Sequence, residues 1–316
     1  MKKALLLTLA AAACWMAAAQ PPRTNLLPEK TVLLYADSAP DLKDPVKGEI
    51  VSAGYVPDHR NGIKEAETYN DWGDIRGISD YARFDLYLPR QCNGLLVLLL
   101  PGGGYGYVSA YNEGIYGAEW LVRRGIAAAV VKYRLPAGHW QVPIEDVHRT
   151  MDYCRAHAAE WGVTKIGIAG GSAGGHLAAL AANYYDRDSR RPDFSVLLYP
   201  VISMEAGITH HGSMKDLTGG DPAAVARLSV QDLVSSRTPS TFIALSDNDS
   251  LVPPLNAILY YEALKKYGIP AEMHIYGSGG HGWGFYTSEY GKDRLGEENR
   301  YLLLRSLEGF LKRQIK

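Results

Sequence analysis

The sequence predicts an α/β protein built on a mostly parallel central sheet of about eight strands flanked by helices. Two observations carry this. Short β-type runs alternate with amphipathic helical stretches along most of the chain. Several runs, Leu95–Leu100 above all, are almost continuously apolar, as strands covered on both faces must be. A length of 316 residues suits one such domain, expected over residues 20–316.

The expected strands are Thr31–Ala36, Arg83–Leu88, Leu95–Leu100, Ala127–Tyr133, Lys165–Ala169, Phe194–Tyr199, Thr241–Leu245 and Ala271–Tyr276. The expected helices are Gly114–Arg123, Pro143–Glu160, Ala173–Asn183, Pro254–Tyr267 and Glu298–Arg313. The second carries an apolar stripe at spacings of three and four: Ile144, Val147, Met151, Cys154, Ala158 and Trp161. Cys154 on that stripe reads as a buried, inert thiol. With Cys92 it makes neither a disulfide framework nor a zinc site.

Two stretches break the alternation. Residues 20–82 form an N-terminal extension whose later part, Ala53–Asp80, is polar and loop-like and carries Tyr55, Tyr69 and Trp72. Val201–Ser236 reads as a cap-like insertion. Long insertions beside parallel strands often carry substrate contacts, and plain surface loop is the other reading.

The first 19 residues fit a secretory signal. Lys2 and Lys3 precede the apolar stretch Leu5–Ala13, and Ala17-Ala18-Ala19 suits cleavage before Gln20. The expected location is secreted or periplasmic. Lipidation at Cys14 is the rival, weakened by Ala11 where a bulky residue usually stands. No later segment is long and apolar enough to insert stably in a membrane. The formal net charge of −1 implies no general attraction to nucleic acid.

Chemistry concentrates in four loops. Gly170-Gly171-Ser172-Ala173-Gly174 lies between a strand and a helix, the context of a nucleophile elbow. Such a turn strains the serine backbone, needs tiny neighbours and lifts the hydroxyl out at a helix N-terminus, where an anion is favoured. Upstream, Leu95–Leu100 runs into Pro101-Gly102-Gly103-Gly104-Tyr105. Glycines after a buried strand let backbone N–H groups face a substrate oxygen. The oxyanion hole is assigned to the N–H groups of Gly103 or Gly104 and of Ala173. The base is expected at His281, within Gly279-Gly280-His281-Gly282-Trp283-Gly284. The other histidines read as structural or peripheral, His176 as packing or support and His210 and His211 as possible substrate contacts. No metal-ligand spacing such as HExxH occurs, so neither a metal nor another cofactor is expected. The orienting carboxylate follows Thr241–Leu245, where Asp247 and Asp249 compete.

Pro101–Tyr105, Tyr133-Arg134-Leu135-Pro136, Gly171-Ser172-Ala173-Gly174-Gly175-His176-Leu177-Ala178 and Gly280-His281-Gly282 together resemble the acetyl-esterase group of the α/β-hydrolase fold. That group includes acetylxylan esterases and bifunctional acetyl/feruloyl esterases of gut bacteria. The resemblance covers roughly residues 83–313. It implies a catalytic set of Ser172, Asp249 and His281, with Asp249 preferred because an Asp followed by two residues and Val-Pro is usual in this fold. It also implies acetylated plant-polysaccharide fragments as substrates. Tyr105, Tyr107, Trp283 and His211 are the candidates to touch a small-molecule or oligosaccharide ester. Trp283 has the alternative of packing its own loop. The expected function is hydrolysis of short acyl esters on carbohydrates. A feruloyl esterase, a small peptidase or amidase related to the prolyl oligopeptidases, and an inactive binding protein are the alternatives.

Overall fold

In the computed structural model, residues 24–35, 41–44, 49–52, 61–285, 287 and 293–315 are described. The signal-like segment 1–19, with Cys14, and Tyr55 lie outside them. We number the strands of the main sheet β1 (Lys30–Leu33), β2 (Arg83–Tyr87), β3 (Leu95–Leu100), β4 (Ala127–Lys132), β5 (Lys165–Gly171), β6 (Phe194–Leu198), β7 (Ser240–Ser246) and β8 (Ala271–Tyr276). They form one 8-stranded sheet in the order β1-β2-β4-β3-β5-β6-β7-β8. β2 pairs antiparallel with both β1 and β4, and every pairing from β4 to β8 is parallel.

That order sets the position of the site. After β3 the chain steps to one side of the sheet, and after β5 it steps to the other. The loops leaving neighbouring strands therefore part, and a crevice opens at the carboxyl ends of β3 and β5. The register brings these ends level: Gly170 pairs with Leu100, Gly171 with Leu198, and Ser246 with Tyr276. Four loops thus open on one edge of the sheet.

Every residue of β3, β4 and β6 is buried. Lys132 is buried too, and its ammonium pairs with Asp85 of β2, which also accepts the Thr31 hydroxyl at 2.5 Å. A buried charge needs such a partner, and this one joins β1, β2 and β4. The helices that cover the sheet include α1 (Tyr116–Val122), α2 (Gln141–His157), α3 (Ser172–Asn183), α6 (Leu255–Lys266) and α7 (Glu297–Ile315). On α2, Ile144, Val147, Met151 and Cys154 are buried as the stripe requires, and burial pushes the Cys154 thiol up. Cys92 and Cys154 are both free thiols.

Three features depart from the expectation. Residues 114–115, expected as helix, belong to a single π-helical turn, Tyr111–Ile115, that precedes α1. The expected loop 53–80 contains strands Thr68–Tyr69 and Asp74–Arg76, which pair with each other and then with Val108–Ser109. The insertion 201–236 contains α4 (His211–Thr218) and α5 (Pro222–Arg227), helices too short to write a clear period into the sequence.

Candidate active site

Ser172 is the first residue of α3, directly after β5, and has φ +53. A side chain in that left-handed conformation is strained, and Tyr105 (φ 65) and Tyr199 (φ 36), which closely follow β3 and β6, share it. The turn closes because its flanks are bare. A Cβ on Gly170 would stand 2.2 Å from the Gly174 carbonyl oxygen, and one on Gly174 would stand 2.0 Å from that of Leu100.

The Ser172 Oγ lies 2.8 Å from His281 Nε2, across 109 residues of sequence. His281 Nδ1 lies 2.6 Å from Asp249 Oδ2. An ionised carboxylate only accepts, so Nδ1 carries the hydrogen and Nε2 turns its lone pair to the serine hydroxyl. The other oxygen of Asp249 accepts the N–H groups of Leu251 (3.0 Å) and Val252 (2.9 Å). Asp249 is buried, whereas Asp247 is exposed and makes a backbone bond to Tyr276. Of the two competing acids, the fold brings Asp249 to the His281 ring.

The histidine loop is pinned on several sides. Asn112 Nδ2 donates to the Gly282 carbonyl at 3.0 Å, and Gly280 N–H donates to Asn248 Oδ1 at 2.9 Å. The buried Arg300 of α7 donates to the carbonyls of Gly284 (2.5 Å) and Trp283 (3.2 Å). The Tyr199 ring stands edge-on to the His281 ring at 4.9 Å.

Beside Ser172 the glycine loop makes a sharp reversal. Gly103 has φ +129, and a Cβ there would stand 2.2 Å from the Tyr107 carbonyl oxygen. Among the described residues, the N–H groups of Gly103 and Gly104 have no hydrogen-bond partner. The N–H of Ala173 lies in the first turn of α3, where helix amides lack an intrahelical acceptor. The N–H of Gly102 is taken: it donates to Glu113 Oε2 at 2.6 Å. Glu113 sits on the π-turn, is buried, and accepts the Tyr199 hydroxyl at 2.9 Å. Burial raises its pKa, while the Gly102 N–H, the nearby His281 and the Tyr199 hydroxyl oppose the rise. Neither Glu113 nor Tyr199 announces itself in the sequence, because each acts through partners distant along the chain.

These groups border a cleft of about 810 Å³. Tyr107 lines it half-buried, with the Arg76 guanidinium 4.7 Å from its ring centroid. Three expected substrate contacts stand elsewhere. Tyr105 is buried and bonds its hydroxyl to His176 Nδ1 at 2.8 Å. Trp283 is fully buried, donates its Nε1–H to Ser246 Oγ at 3.0 Å and packs on Tyr199, so it fills the loop. His211 is exposed as the first residue of α4, and the preceding His210 lines the cleft in its place. Ser213 N–H donates to His210 Nδ1 at 3.2 Å, which leaves the ring hydrogen on Nε2. Burial and the nearby His281 lower the His210 pKa and favour this neutral form. Trp72, from the N-terminal extension, also lines the cleft and is 42% exposed.

His176 has no part in the cleft. Its Nε2 faces the Leu228 carbonyl at 2.9 Å, so Nε2 donates and Nδ1 accepts from Tyr105. Burial lowers its pKa to about 4.

The chain is similar to known esterases. The BD-FAE family profile matches residues 84–206. An acetylxylan esterase of Xylanibacter ruminicola is 38% identical over 214 residues, covering 65% of this chain and 44% of that protein. Endo-1,4-beta-xylanase B of Butyrivibrio fibrisolvens is 30% identical over 252 residues, covering 73% of this chain and 39% of that protein. The chain thus spans less than half the length of these two relatives. The crystal structure of an acetyl ester-xyloside bifunctional hydrolase from Caldicellulosiruptor lactoaceticus superposes with a TM-score of 0.62 at 32% identity, over 81% of this chain and 95% of that one. Strand order, strained serine turn and sequence likeness agree, and the chain belongs to the α/β-hydrolase superfamily, within its acetyl-esterase group.

Proposed function

We propose that the chain is a serine carboxylesterase that removes short acyl groups, chiefly acetyl, from carbohydrate hydroxyls. The observation that carries this is the line Asp249–His281–Ser172, with spacings of 2.6 and 2.8 Å, at the wall of a cleft shared with Gly103 and Gly104. His281 Nε2 takes the proton as Ser172 Oγ bonds to the ester carbonyl carbon. The N–H groups of Gly103 or Gly104 and of Ala173 hold the oxyanion. Collapse expels the sugar alkoxide, which leaves with the proton from His281. Water then attacks the acyl-serine with His281 again as base, and the carboxylic acid departs.

The carbohydrate part rests on two supports. Relatives are named as an acetylxylan esterase and an acetyl ester-xyloside hydrolase. The cleft offers exposed Trp72 as a stacking face and a neutral His210 Nε2–H donor. Export belongs to the same proposal, supported by Lys2, Lys3, Leu5–Ala13 and Ala17–Ala19.

The test compares acetylated xylo-oligosaccharides, feruloyl esters and aminoacyl amides as substrates, with fluorophosphonate labelling of Ser172. Acetate release with the highest kcat/KM on the glycans is expected. Labelling without acetate release from any glycan would remove the carbohydrate part. Absence of both would remove the esterase itself. N-terminal sequencing of the exported protein should begin at Gln20, and a chain still starting at Met1 would remove the export part.

A further inference from the structure

Glu113 is a buried carboxylate that the hydrolytic steps above do not use. Its two oxygens answer two different loops. Oε2 accepts the N–H of Gly102, next to the oxyanion-hole candidates, and Oε1 accepts the hydroxyl of Tyr199. Tyr199 Oη in turn accepts the N–H of Gly284, three residues after His281, at 2.7 Å. The chain of bonds Gly102–Glu113–Tyr199–Gly284 therefore runs from the glycine loop to the histidine loop behind the serine. The adjacent Asn112 repeats the attachment: its Nδ2 donates to the Gly282 carbonyl, and its own carbonyl accepts the Phe285 N–H at 3.1 Å. Both residues sit on the π-turn Tyr111–Ile115, a local irregularity often retained where function needs it.

Two glycines give independent support. Neither Gly102 nor Gly171 has a left-handed φ. Yet a Cβ on Gly102 would stand 2.7 Å from Glu113 Oε2, and one on Gly171 would stand 2.6 Å from the same atom. The bare backbone at Gly171 makes room for this carboxylate, and that at Gly102 makes room for it and for the Gly171 carbonyl oxygen, 2.6 Å from the same Cβ position. The site is also selective for a carboxylate over its amide. Two donors converge on two acceptors, and an amide would turn an N–H₂ group toward one of them. Burial and the Glu113 charge raise the Tyr199 pKa, which keeps its hydroxyl a donor.

We propose that Glu113 is a positioning residue that locks the oxyanion loop to the histidine loop, through Gly102 on one oxygen and Tyr199 on the other. This rests on the reading of Ser172 as nucleophile. The clamp sets the distance between the hole and the base, so it matters in the transition state more than in substrate binding.

The experiment measures kcat, KM and the Ki of a trifluoromethyl ketone, a mimic of the tetrahedral adduct, for wild type, Glu113→Gln and Tyr199→Phe. Glu113→Gln should lower kcat by on the order of 10–100-fold and raise the ketone Ki in parallel, with KM for 4-nitrophenyl acetate within about threefold. Tyr199→Phe, which removes one oxygen and keeps the ring, should act the same way. The double variant should lose little more than either single one, because one bridge is broken in each case. An unchanged kcat in both folded variants would overturn the clamp. A rise in KM that carries the whole loss would overturn it as well. If Glu113→Gln does not fold, Tyr199→Phe decides alone. Wild type that neither turns over nor reacts with fluorophosphonate would instead overturn the nucleophile assignment.

Discussion

The carboxylate of Asp249 is shared between His281 and its own loop: one oxygen meets the imidazole Nδ1 at 2.6 Å and the other holds two backbone N–H groups. The loop's own N–H groups thus hold the carboxylate where its other oxygen meets the ring. Asp249→Asn removes the preference for hydrogen on Nδ1 and is expected to lower kcat by about 10⁴-fold. Asp247 is exposed, and Asp247→Asn should stay within about threefold of wild type. Steady-state kinetics on 4-nitrophenyl acetate separate the two, and a reversed pattern would make Asp247 the acid.

Ser172→Ala and Ser172→Gly should both abolish turnover, by on the order of 10⁴-fold or more, and both should fold. They should differ in stability. At φ +53 a Cβ is strained, and glycine relieves that strain. Ser172→Gly is expected to be more stable than Ser172→Ala by about 1 kcal/mol, read from urea midpoints. Equal midpoints would mean that the turn stores no strain at this residue.

His176 gives the fold a pH dependence of its own. Its folded-state pKa is lowered by burial from 6.5 to about 4. Between those values the unfolded chain binds the proton and the folded protein does not. Stability is therefore complete above pH 6.5 and falls as the pH drops toward 4, by at most on the order of 3 kcal/mol. His176→Gln keeps an acceptor for Tyr105 and a donor for Leu228 but cannot titrate. Its loss of stability between pH 7 and pH 4.5 should be smaller than that of wild type. Equal losses would assign the acid sensitivity to other groups.

Trp72, on the cleft wall, gives the proposed glycan binding a test of its own. Trp72→Ala should raise KM for acetylated xylo-oligosaccharides by about 3–10-fold and leave 4-nitrophenyl acetate unaffected. Across 4-nitrophenyl esters, turnover should fall steeply from acetate to octanoate. A Trp72→Ala effect equal on both substrate types would make its role structural.

The strands of the main sheet were legible because burial on both faces writes apolar runs, unbroken in Leu95–Leu100 and Ala127–Val131. The serine turn was legible because only glycine fits beside it. Other features depend on where a side chain points. Tyr105 and Trp283 flank chemical loops in sequence, yet their rings enter the core. His210 and His211 differ by one position, and helix capping turns the first ring inward and leaves the second outside. Glu113 was invisible for a stronger reason. Its partners Gly102 and Tyr199 lie 11 and 86 residues away, and only the assembled sheet brings them together.

The anchoring of the histidine loop by Arg300 has a consequence for biosynthesis. The parts of the site emerge from the ribosome in sequence: glycine loop, Glu113, Ser172, Asp249, His281, and then the guanidinium of α7 that holds the Trp283 and Gly284 carbonyls. A nascent chain exposed as far as Asp249 carries the serine hydroxyl without its base. Paired reactivity of Ser172 therefore cannot precede the appearance of His281, and Arg300 adds its hold on the loop only when α7 docks. Recovery of Ser172 labelling during refolding would time the meeting of the serine with His281, with the protein's own chemistry as the clock.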